Sequence, residues 1–406
     1  MKKFIFLAIL AVSCSPVITV ENPLDFDRSE MVEVSRRSLS RSLSLSKGLS
    51  KGLSKGDRES HILIAPDGTE VPYQFTHDGK LIFKADVPAN GSVKYKLVKG
   101  TPSPVDTVAV GSIRPDRLDD LLWENEHSGW RMYGPGTHNA GAATYGYDVF
   151  TKSVPYPVMT DRFDKDQNRD SRKQAAEWKA QGLKSRADSL LKAISFHVDH
   201  GDGMDVYSVG ASLGCGTAAL LDADGKIIFP WCWESCEILD NGPLRFTVKV
   251  VMDDGAETRI ITCDSGAWMN KVVVEIPGPS TGPSTGPSTG SGTDSGTEGN
   301  ARIAAGIVIH DSNPSAYVSG PGYIGYADLG DPNPGQNGEI YCGAVIPGAT
   351  EVTVEQGHIL LHSTCRPGFT YYFGSAWSKA DVPSLGEWES ILKREVLCCE
   401  NPLIVK

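Results

Sequence analysis

Short apolar runs closed by turn residues recur along most of this chain, a rhythm that favours a β fold. His61-Ile-Leu-Ile64, Pro66-Asp-Gly68 and Val71-Pro-Tyr-Gln-Phe75 read as a hairpin. Leu81–Ala85 and Ser92–Leu97 continue an alternating sheet. Leu220–Phe229 reads as another hairpin around Asp224-Gly225, and Leu244–Val251 pairs with Glu257–Thr262 across Asp253-Asp-Gly255. Glu351–Val354, Ile359–Leu361 and Tyr371–Phe373 close the series. Helical pattern is scarce. Ser171–Ala193 has helix-forming composition broken at Gly182, and Ser384-Leu-Gly-Glu387 is a capping box before Trp388. The fold class expected is mainly β with few helices. A small β-sandwich covers about residues 18–105, and a larger β domain covers 106–400.

Two low-complexity tracts interrupt this pattern. Residues 38–56 carry Leu-Ser-Lys-Gly three times, and residues 278–299 carry Gly-Pro-Ser-Thr three times. Each copy is too short and too polar to bury a face, so both read as expanded surface loops. Lys271–Ile276 and Ala301–His310 flank the second tract and are both strand-like, which suggests a swollen hairpin loop.

The N-terminus reads as an address. Met1-Lys2-Lys3, the apolar stretch Phe4–Val12 and Ser13-Cys14 have the layout of a secretory signal. Cys14 stands where a lipoprotein signal places its lipidated residue. The expectation is a signal over residues 1–13 and an exported protein, periplasmic or an outer-membrane lipoprotein of a Gram-negative bacterium, touching the membrane through a lipid at Cys14. Removal of that signal takes away Lys2 and Lys3 and moves the net charge from −11 to −13. An acidic chain disfavours nucleic-acid binding through a broad basic field. Eight cysteines follow Cys14, open either to disulfides in an oxidising compartment or to burial as thiols.

Two polar clusters stand out. In Leu122–Gly134, read as a strand, Glu124, Asn125, Arg131 and Tyr133 lie beside Trp123 and Trp130. Hydrogen-bonding heads next to stacking faces suit a sugar; the bland alternative is a half-exposed strand with solvated charges. The sharper cluster is Phe196-His197-Val-Asp199-His200-Gly-Asp202-Gly-Met-Asp205-Val-Tyr207. Its glycines suggest tight backbone beside a ligand. A histidine can move a proton near neutral pH, with a neighbouring aspartate orienting the ring. The same groups could hold a divalent cation such as calcium, or form no more than an Asx-rich turn or a polar brace. Asp164–Asp170 begins like a calcium loop but lacks the glycine and the closing glutamate of an EF-hand. His310 ends an apolar run and gains interest only where the fold brings it near His197. Trp377 is a pocket wall or a core residue. No G-x-S-x-G, P-loop, Rossmann glycine set or H-E-x-x-H is present, which disfavours those enzyme classes.

Several of these motifs resemble the bacterial family called domain of unknown function 4861. They are Leu121–Glu126 with Trp130–Pro135, Tyr147-Asp-Val149 with Val154–Pro157, and Phe196–Asp205 with Tyr207–Gly210 and Gly214–Gly216. Asn241–Arg245 and Tyr371–Gly374 with Trp377–Lys379 complete the likeness, which runs from about residue 18 to 400. The resemblance implies a β-supersandwich similar to that of galactose mutarotases. It also implies a Bacteroidetes setting, among genes for breaking down acidic plant or algal polysaccharides. The expected function is then a carbohydrate-active enzyme, a lyase or glycoside hydrolase, acting on uronic-acid-containing oligosaccharides or polysaccharides. A non-catalytic glycan-binding lipoprotein and a sugar mutarotase or epimerase are the rivals. For elimination, His197 or His200 would be the base, oriented by Asp199 or Asp205. Arg131 would hold the substrate carboxylate, and Tyr133 or Tyr207 would protonate the leaving oxygen. For hydrolysis, Glu124 and Asp205 would be the paired carboxylates. Trp123 and Trp377 would contribute sugar contacts.

Overall fold

The computed structural model describes residues 16–35, 61–252, 257–276, 301–366 and 368–406. The signal-like segment with Cys14 and both repeat tracts lie outside the described residues. The chain is mainly β and divides into two compact units: Met1–Asp106 with Asn401–Lys406, and Thr107–Glu400.

The first unit is a small sandwich. One sheet runs in the order Ile404–Val405, Val17–Glu21, Ser92–Lys99, His61–Ile64 and Glu70–Val71. The other joins Arg28–Val34, Leu81–Val87 and Tyr73–Phe75. In Leu81–Val87 the inward positions Leu81, Phe83, Ala85 and Val87 are buried, while Lys84 and Asp86 face water, the period-2 signature of a half-buried strand. These side chains meet Val20, Leu63, Tyr95 and Leu97 of the facing sheet in one core.

Among the described residues the second unit holds three antiparallel sheets. The eight-stranded one is ordered Trp233–Asn241, Arg245–Met252, Glu257–Asp264, Met269–Glu275, Phe369–Trp377, Ile340–Val345, Tyr323–Asp328 and Tyr317–Gly320. A five-stranded sheet runs Ile227–Ile228, Cys215–Leu221, Ala301–Val308, His358–Cys365 and Val352–Glu355. The third runs Gly203–Asp205, Asp148–Lys152, Ser128–Met132, Asp120–Glu124 and Val110–Arg114. One large core draws Trp123, Val149 and Met204 from the third sheet, Phe246 and Phe373 from the first and Ile307 from the second. Cys215, Cys263 and Cys342 are buried there as thiols. Helix Leu385–Glu400 lays Trp388, Leu392 and Val396 against Tyr323 and Tyr341, and Ser384 Oγ accepts from the Glu387 amide at its start.

Two local expectations are corrected. The strands flanking the second tract do not pair with each other. Met269–Glu275 lies in the eight-stranded sheet between Glu257–Asp264 and Phe369–Trp377. Ala301–Val308 pairs with Cys215–Leu221 and His358–Cys365 in a different sheet. A crossing between sheets needs a connection but no tight turn, and apolar flanks look alike in both cases. Leu122–Gly134 is likewise a hairpin and not one strand. Asn125 Oδ1 accepts from the His127 and Ser128 amides, an Asx turn that reverses the chain. A helix that was not expected, Met159–Asp166, precedes the Ser171–Ala193 stretch, which resolves into Arg169–Ala180 and Lys184–Ile194. The last two are separated around Gly182, whose φ of +78° ends a helix readily.

Candidate functional site

The third sheet has one apolar face and one mixed face. Leu121, Trp123, Trp130, Val149 and Met204 point into the large core. On the other face Leu122 and Phe150 pack under Val158, Met159, Phe163 and Phe196, supplied by the helical excursion between Lys152 and Gly203. Polar residues gather at one end of that face. Arg131 stands opposite Asp148 in register, and Asp205 stands opposite Phe150 on the next strand.

Arg131 is the centre of this group. Its Nε donates to Asp148 Oδ2 at 2.9 Å, and its Nη2 also bonds Asp148. The same Nη2 lies 2.9 Å from Asp205 Oδ2 and donates to the Tyr133 hydroxyl at 2.9 Å. Nη1 is 3.7 Å from Asp120 Oδ2, and Arg117 Nη1 approaches the same oxygen at 3.8 Å. The Tyr133 hydroxyl donates to Asp148 Oδ2 at 2.7 Å. The guanidinium also lies 4.6 Å from the Tyr133 ring centre, 5.7 Å from Phe163 and 5.9 Å from Phe196. Three carboxylates therefore surround one buried guanidinium, with the half-buried Arg117 as the second cation.

The electrostatics follow from that count. Burial pushes the Asp205 carboxyl up to about 8; Arg131 opposes the rise and Asp148 adds to it. Burial also raises Asp120, against the pull of Arg131 and Arg117. Neither Asp120 oxygen completes a hydrogen bond of ordinary geometry among the described residues, although the Gly134 amide is close enough to favour the charged form. Tyr133 is raised well above the ordinary phenol value, chiefly by burial. The chain just before Asp120 is strained: Leu118 and Asp119 have φ of +56° and +65°, a region side-chain-bearing residues seldom adopt. Two consecutive residues of this kind cost free energy that the surrounding structure must offset, a feature that clusters at functional sites.

His197 borders this group from the loop that follows the helices. Its Nδ1 lies 2.5 Å from the Asp205 backbone oxygen and 4.0 Å from Asp205 Oδ1. A carbonyl oxygen only accepts, so Nδ1 carries the hydrogen and Nε2 keeps the lone pair. The His197 side chain is 55% exposed, so that lone pair belongs to an accessible ring. The loop beneath it is fixed by Arg162, which donates to Asp202 at 2.5 Å, to the Ser195 carbonyl at 3.1 Å and to the Val198 carbonyl at 2.5 Å.

Several site expectations need correction. Residues 197–202 turn and are not extended, so Asp199 does not orient His197. Its Oδ1 accepts from the Gly201 amide at 2.8 Å and the Gly203 amide at 3.3 Å instead. His200 and Asp199 are both exposed. Gly203 is tight for a structural reason: at φ +124° a Cβ there would collide with the Thr151 carbonyl, not with a ligand. Arg131 does not face a substrate carboxylate in this arrangement: its side chain is buried, Asp148 and Asp205 take Nε and Nη2, and Nη1, which completes no hydrogen bond among the described residues, is enclosed 3.7 Å from Asp120. Trp123 is 0% exposed and donates to Asn270 at 3.0 Å, so it offers no stacking face. Trp377 is equally a core residue, donating to the Asn337 carbonyl at 2.8 Å. Tyr207 is buried against His310, ring centres 5.9 Å apart, and burial raises its phenol well above the ordinary value.

Glu124 and Asp205 are not a glycosidase pair. Glu124 is opposite Gly129, Gly129 opposite Phe150, and Phe150 opposite Asp205. Three interstrand steps of about 4.8 Å put their backbones about 14 Å apart, and the two carboxyl groups have separate partners, Asp205 lying against Arg131. Glu124 instead pairs with Lys152 at 2.8 Å and accepts from the Val158 and Met159 amides. Among the described residues, no three His, Cys, Asp or Glu side chains are grouped as a metal-binding set.

Three functional candidates escaped sequence reasoning: Asp120, Asp148 and Arg117. The first two are acidic residues abutting apolar strand runs, Asp120-Leu-Leu-Trp123 and Asp148-Val-Phe150, and that placement was the available signal. His310, of interest only beside His197, is held by other partners. Its Nδ1 bonds Asp328, and it packs on Tyr207, two residues beyond the Asp205 that His197 contacts.

The sandwich unit, the three-sheet unit and this charged sheet end define a mainly β, sandwich-like protein. The chain belongs to the family described as domain of unknown function (DUF4861), whose model matches residues 20–405. Uncharacterized protein P7 of Formosa agariphila is 24% identical over 299 residues, covering 68% of this chain and 69% of that protein. An alpha-mannosidase from Enterococcus faecalis V583 aligns over 97% of this chain and 46% of its own, with 9% identity and a TM-score of 0.46. A glycosyl hydrolase family 38 protein from Enterococcus faecalis aligns over 97% and 47%, with 8% identity and a TM-score of 0.45. The chain spans about half the length of these two structures.

Proposed function

We propose that the protein is a carbohydrate-active enzyme that cleaves uronic-acid-containing glycans by β-elimination, with His197 as the base. The observation that carries this reading is the fixed tautomer of His197. Its Nδ1 is committed to the Asp205 carbonyl, which leaves Nε2 on an accessible ring. In the reaction Nε2 takes the proton on the carbon next to the substrate carboxylate. The C–H electrons form a carbon–carbon double bond, the bond to the leaving sugar oxygen breaks, and that oxygen takes a proton from the imidazolium or from water. Arg117, 26% exposed and beside Asp120, replaces Arg131 as the cation that faces the substrate carboxylate. Asp205, protonated up to about pH 8, limits the negative charge beneath an anionic substrate.

The test is a panel of acidic oligosaccharides and polysaccharides, with and without added calcium, followed by the ultraviolet absorbance of an unsaturated uronide. His197→Ala should lower turnover by about 10²–10⁴-fold, the usual share of general base catalysis. Because the ring is exposed, stability should change by less than about 0.5 kcal/mol. Turnover that survives in His197→Ala would remove His197 from the reaction, and no product from any glycan would remove the enzyme reading altogether. The same reading places the protein outside the cytoplasm with a lipid at Cys14. Loss of fatty-acid labelling in Cys14→Ser cells is the corresponding check.

A further inference from the structure

The chain carries a net charge of −11, but that charge is unevenly spread. Residues 169–194 hold seven Lys and Arg against Asp170, Glu177 and Asp188, a net +4 that leaves −15 on the rest. This stretch is the pair of helices Arg169–Ala180 and Lys184–Ile194, which pack on each other. Screening confines each charge to about 8–10 Å at ordinary salt, so the helices present a local positive field on an acidic protein.

The first helix shows where its cations point. Ala175 is buried and Ser171, Gln174 and Trp178 are half-buried, all on one side at about 100° per residue. Arg169, Arg172, Lys173 and Lys179 fall on the opposite side and are exposed, with the small Ala176 and Ala180 among them. Few of the cations are neutralised. The side chains of Lys173, Lys184 and Lys192 have no acidic partner among the described residues. Arg186 lies 4.1 Å from the centre of the Trp178 ring, a contact that holds the guanidinium and leaves its charge in place. Arg172 does pair with Asp166 at 2.5 Å and Lys179 with Asp188 at 3.7 Å, yet both cations stay 49% exposed.

The charge pattern narrows the partner. An anionic membrane or a nucleic-acid duplex is broad and would also bring its charge against the acidic remainder. A single-stranded nucleic acid is narrow enough, but such strands are held by bases stacked on free aromatic rings. Trp178 is the one aromatic residue of 169–194, and it is half-buried with Arg186 over its ring. A linear chain of uronic acids needs only cations along its length. The twelve residues of the first helix offer these over about 18 Å.

Placement ties the helices to the histidine. The second helix ends at Ile194, and Ser195 leads directly to His197. Arg162 bonds the Ser195 and Val198 carbonyls on either side of that histidine, which fixes the ring to the end of the helix.

We infer that the exposed cations of helices 169–180 and 184–194 form a docking surface for an acidic polysaccharide, held through carboxylates of units other than the one that meets His197. That ligand class rests on the glycan reading above, and the experiment separates the two. Intact protein is compared with two triple variants, Lys173→Gln with Lys184→Gln and Lys192→Gln, and Lys173→Glu with Lys184→Glu and Lys192→Glu. Gln and Glu are good helix formers, so both variants should fold. Binding to polygalacturonate, alginate, a neutral glucan, an oligothymidylate and anionic phospholipid vesicles is measured at low and at high salt, beside turnover. Polyuronate binding in the parent should exceed that of the glucan and fall with salt. At low salt it should weaken at least about tenfold in the Glu variant and by less in the Gln variant. Binding without turnover in the parent would sink the enzyme reading and leave the surface standing. Polyuronate binding unaltered in both variants would overturn the surface, and turnover in the parent would then leave the enzyme reading standing. Tighter binding of the oligothymidylate or the vesicles than of either polyuronate would overturn the proposal, as would a parent that binds no polyuronate.

Discussion

The mixed face of the third sheet carries two buried ion clusters on the same strands, and they are built on opposite terms. At one end Lys152 has one carboxylate partner, Glu124, and a second acceptor in the Asn125 carbonyl at 2.6 Å. Glu124 fills its remaining capacity with the Val158 and Met159 amides, at the start of a helix. Charges balance one to one and every group is bonded. At the other end Arg131 faces Asp120, Asp148 and Asp205, with Asp120 short of hydrogen bonds and Asp205 shifted to about 8. A balanced, enclosed pair gives fixed geometry. An excess of carboxylates around one guanidinium gives groups that change protonation, and only this second end lies beside an exposed histidine.

The sharpest way to break the contrast is Lys152→Met. It leaves the Glu124 carboxylate buried without its cation, which should cost about 3–5 kcal/mol. Denaturant unfolding measures this, and a cost below about 1 kcal/mol would mean the pair is not enclosed. Asp205→Asn should behave differently. The folded value of about 8 lies above the ordinary carboxylate value near 4. Between those values the folded chain keeps a proton that the unfolded chain has released. Stability of the parent therefore falls as pH rises from about 4 to about 8. The asparagine variant removes that titration, so relative to the parent it should gain several kcal/mol, about 4 from these two values, on going from pH 5 to pH 9. Melting temperatures across that range decide it; parallel curves for parent and variant would mean Asp205 titrates normally.

The contrast also explains what could be read in advance. Strand identity was legible wherever one face is buried, as in Leu81–Val87, because alternation there is a direct record of the core. His197 and Asp205 were legible because the chemistry is dense in one short segment. The rest of the cluster was not, because Asp120, Arg131 and Asp148 come from three strands and meet only through register. The same cause misdirected the aromatic reading. Trp123 and Trp130 flank polar residues in sequence, but alternation sends them through the sheet into the core, 6.4 Å apart.

The smallest expected effect concerns the two histidines that hold the segment Asp205–Ser208. His197 grips it through the Asp205 carbonyl, on an exposed ring. His310 grips the other end, packed on Tyr207 and bonded to Asp328. Burial disfavours the charged form of His310, but the Asp328 carboxylate and the Ser208 backbone outweigh it and raise the ring above its ordinary value. A raised histidine adds stability that is complete below about pH 6.5 and is lost as pH climbs through the folded value. The His310 side chain is 26% exposed, so solvent screening keeps the contribution under about 1 kcal/mol. His310→Gln should lower the melting temperature at pH 6 and converge on the parent by pH 9, with Asp328→Asn giving the same convergence. A change caused by packing alone would show no such dependence and would persist at every pH. A deficit in His310→Gln that is equal at pH 6 and pH 9 would make this histidine a spacer and leave Asp205 as the titrating group on the segment.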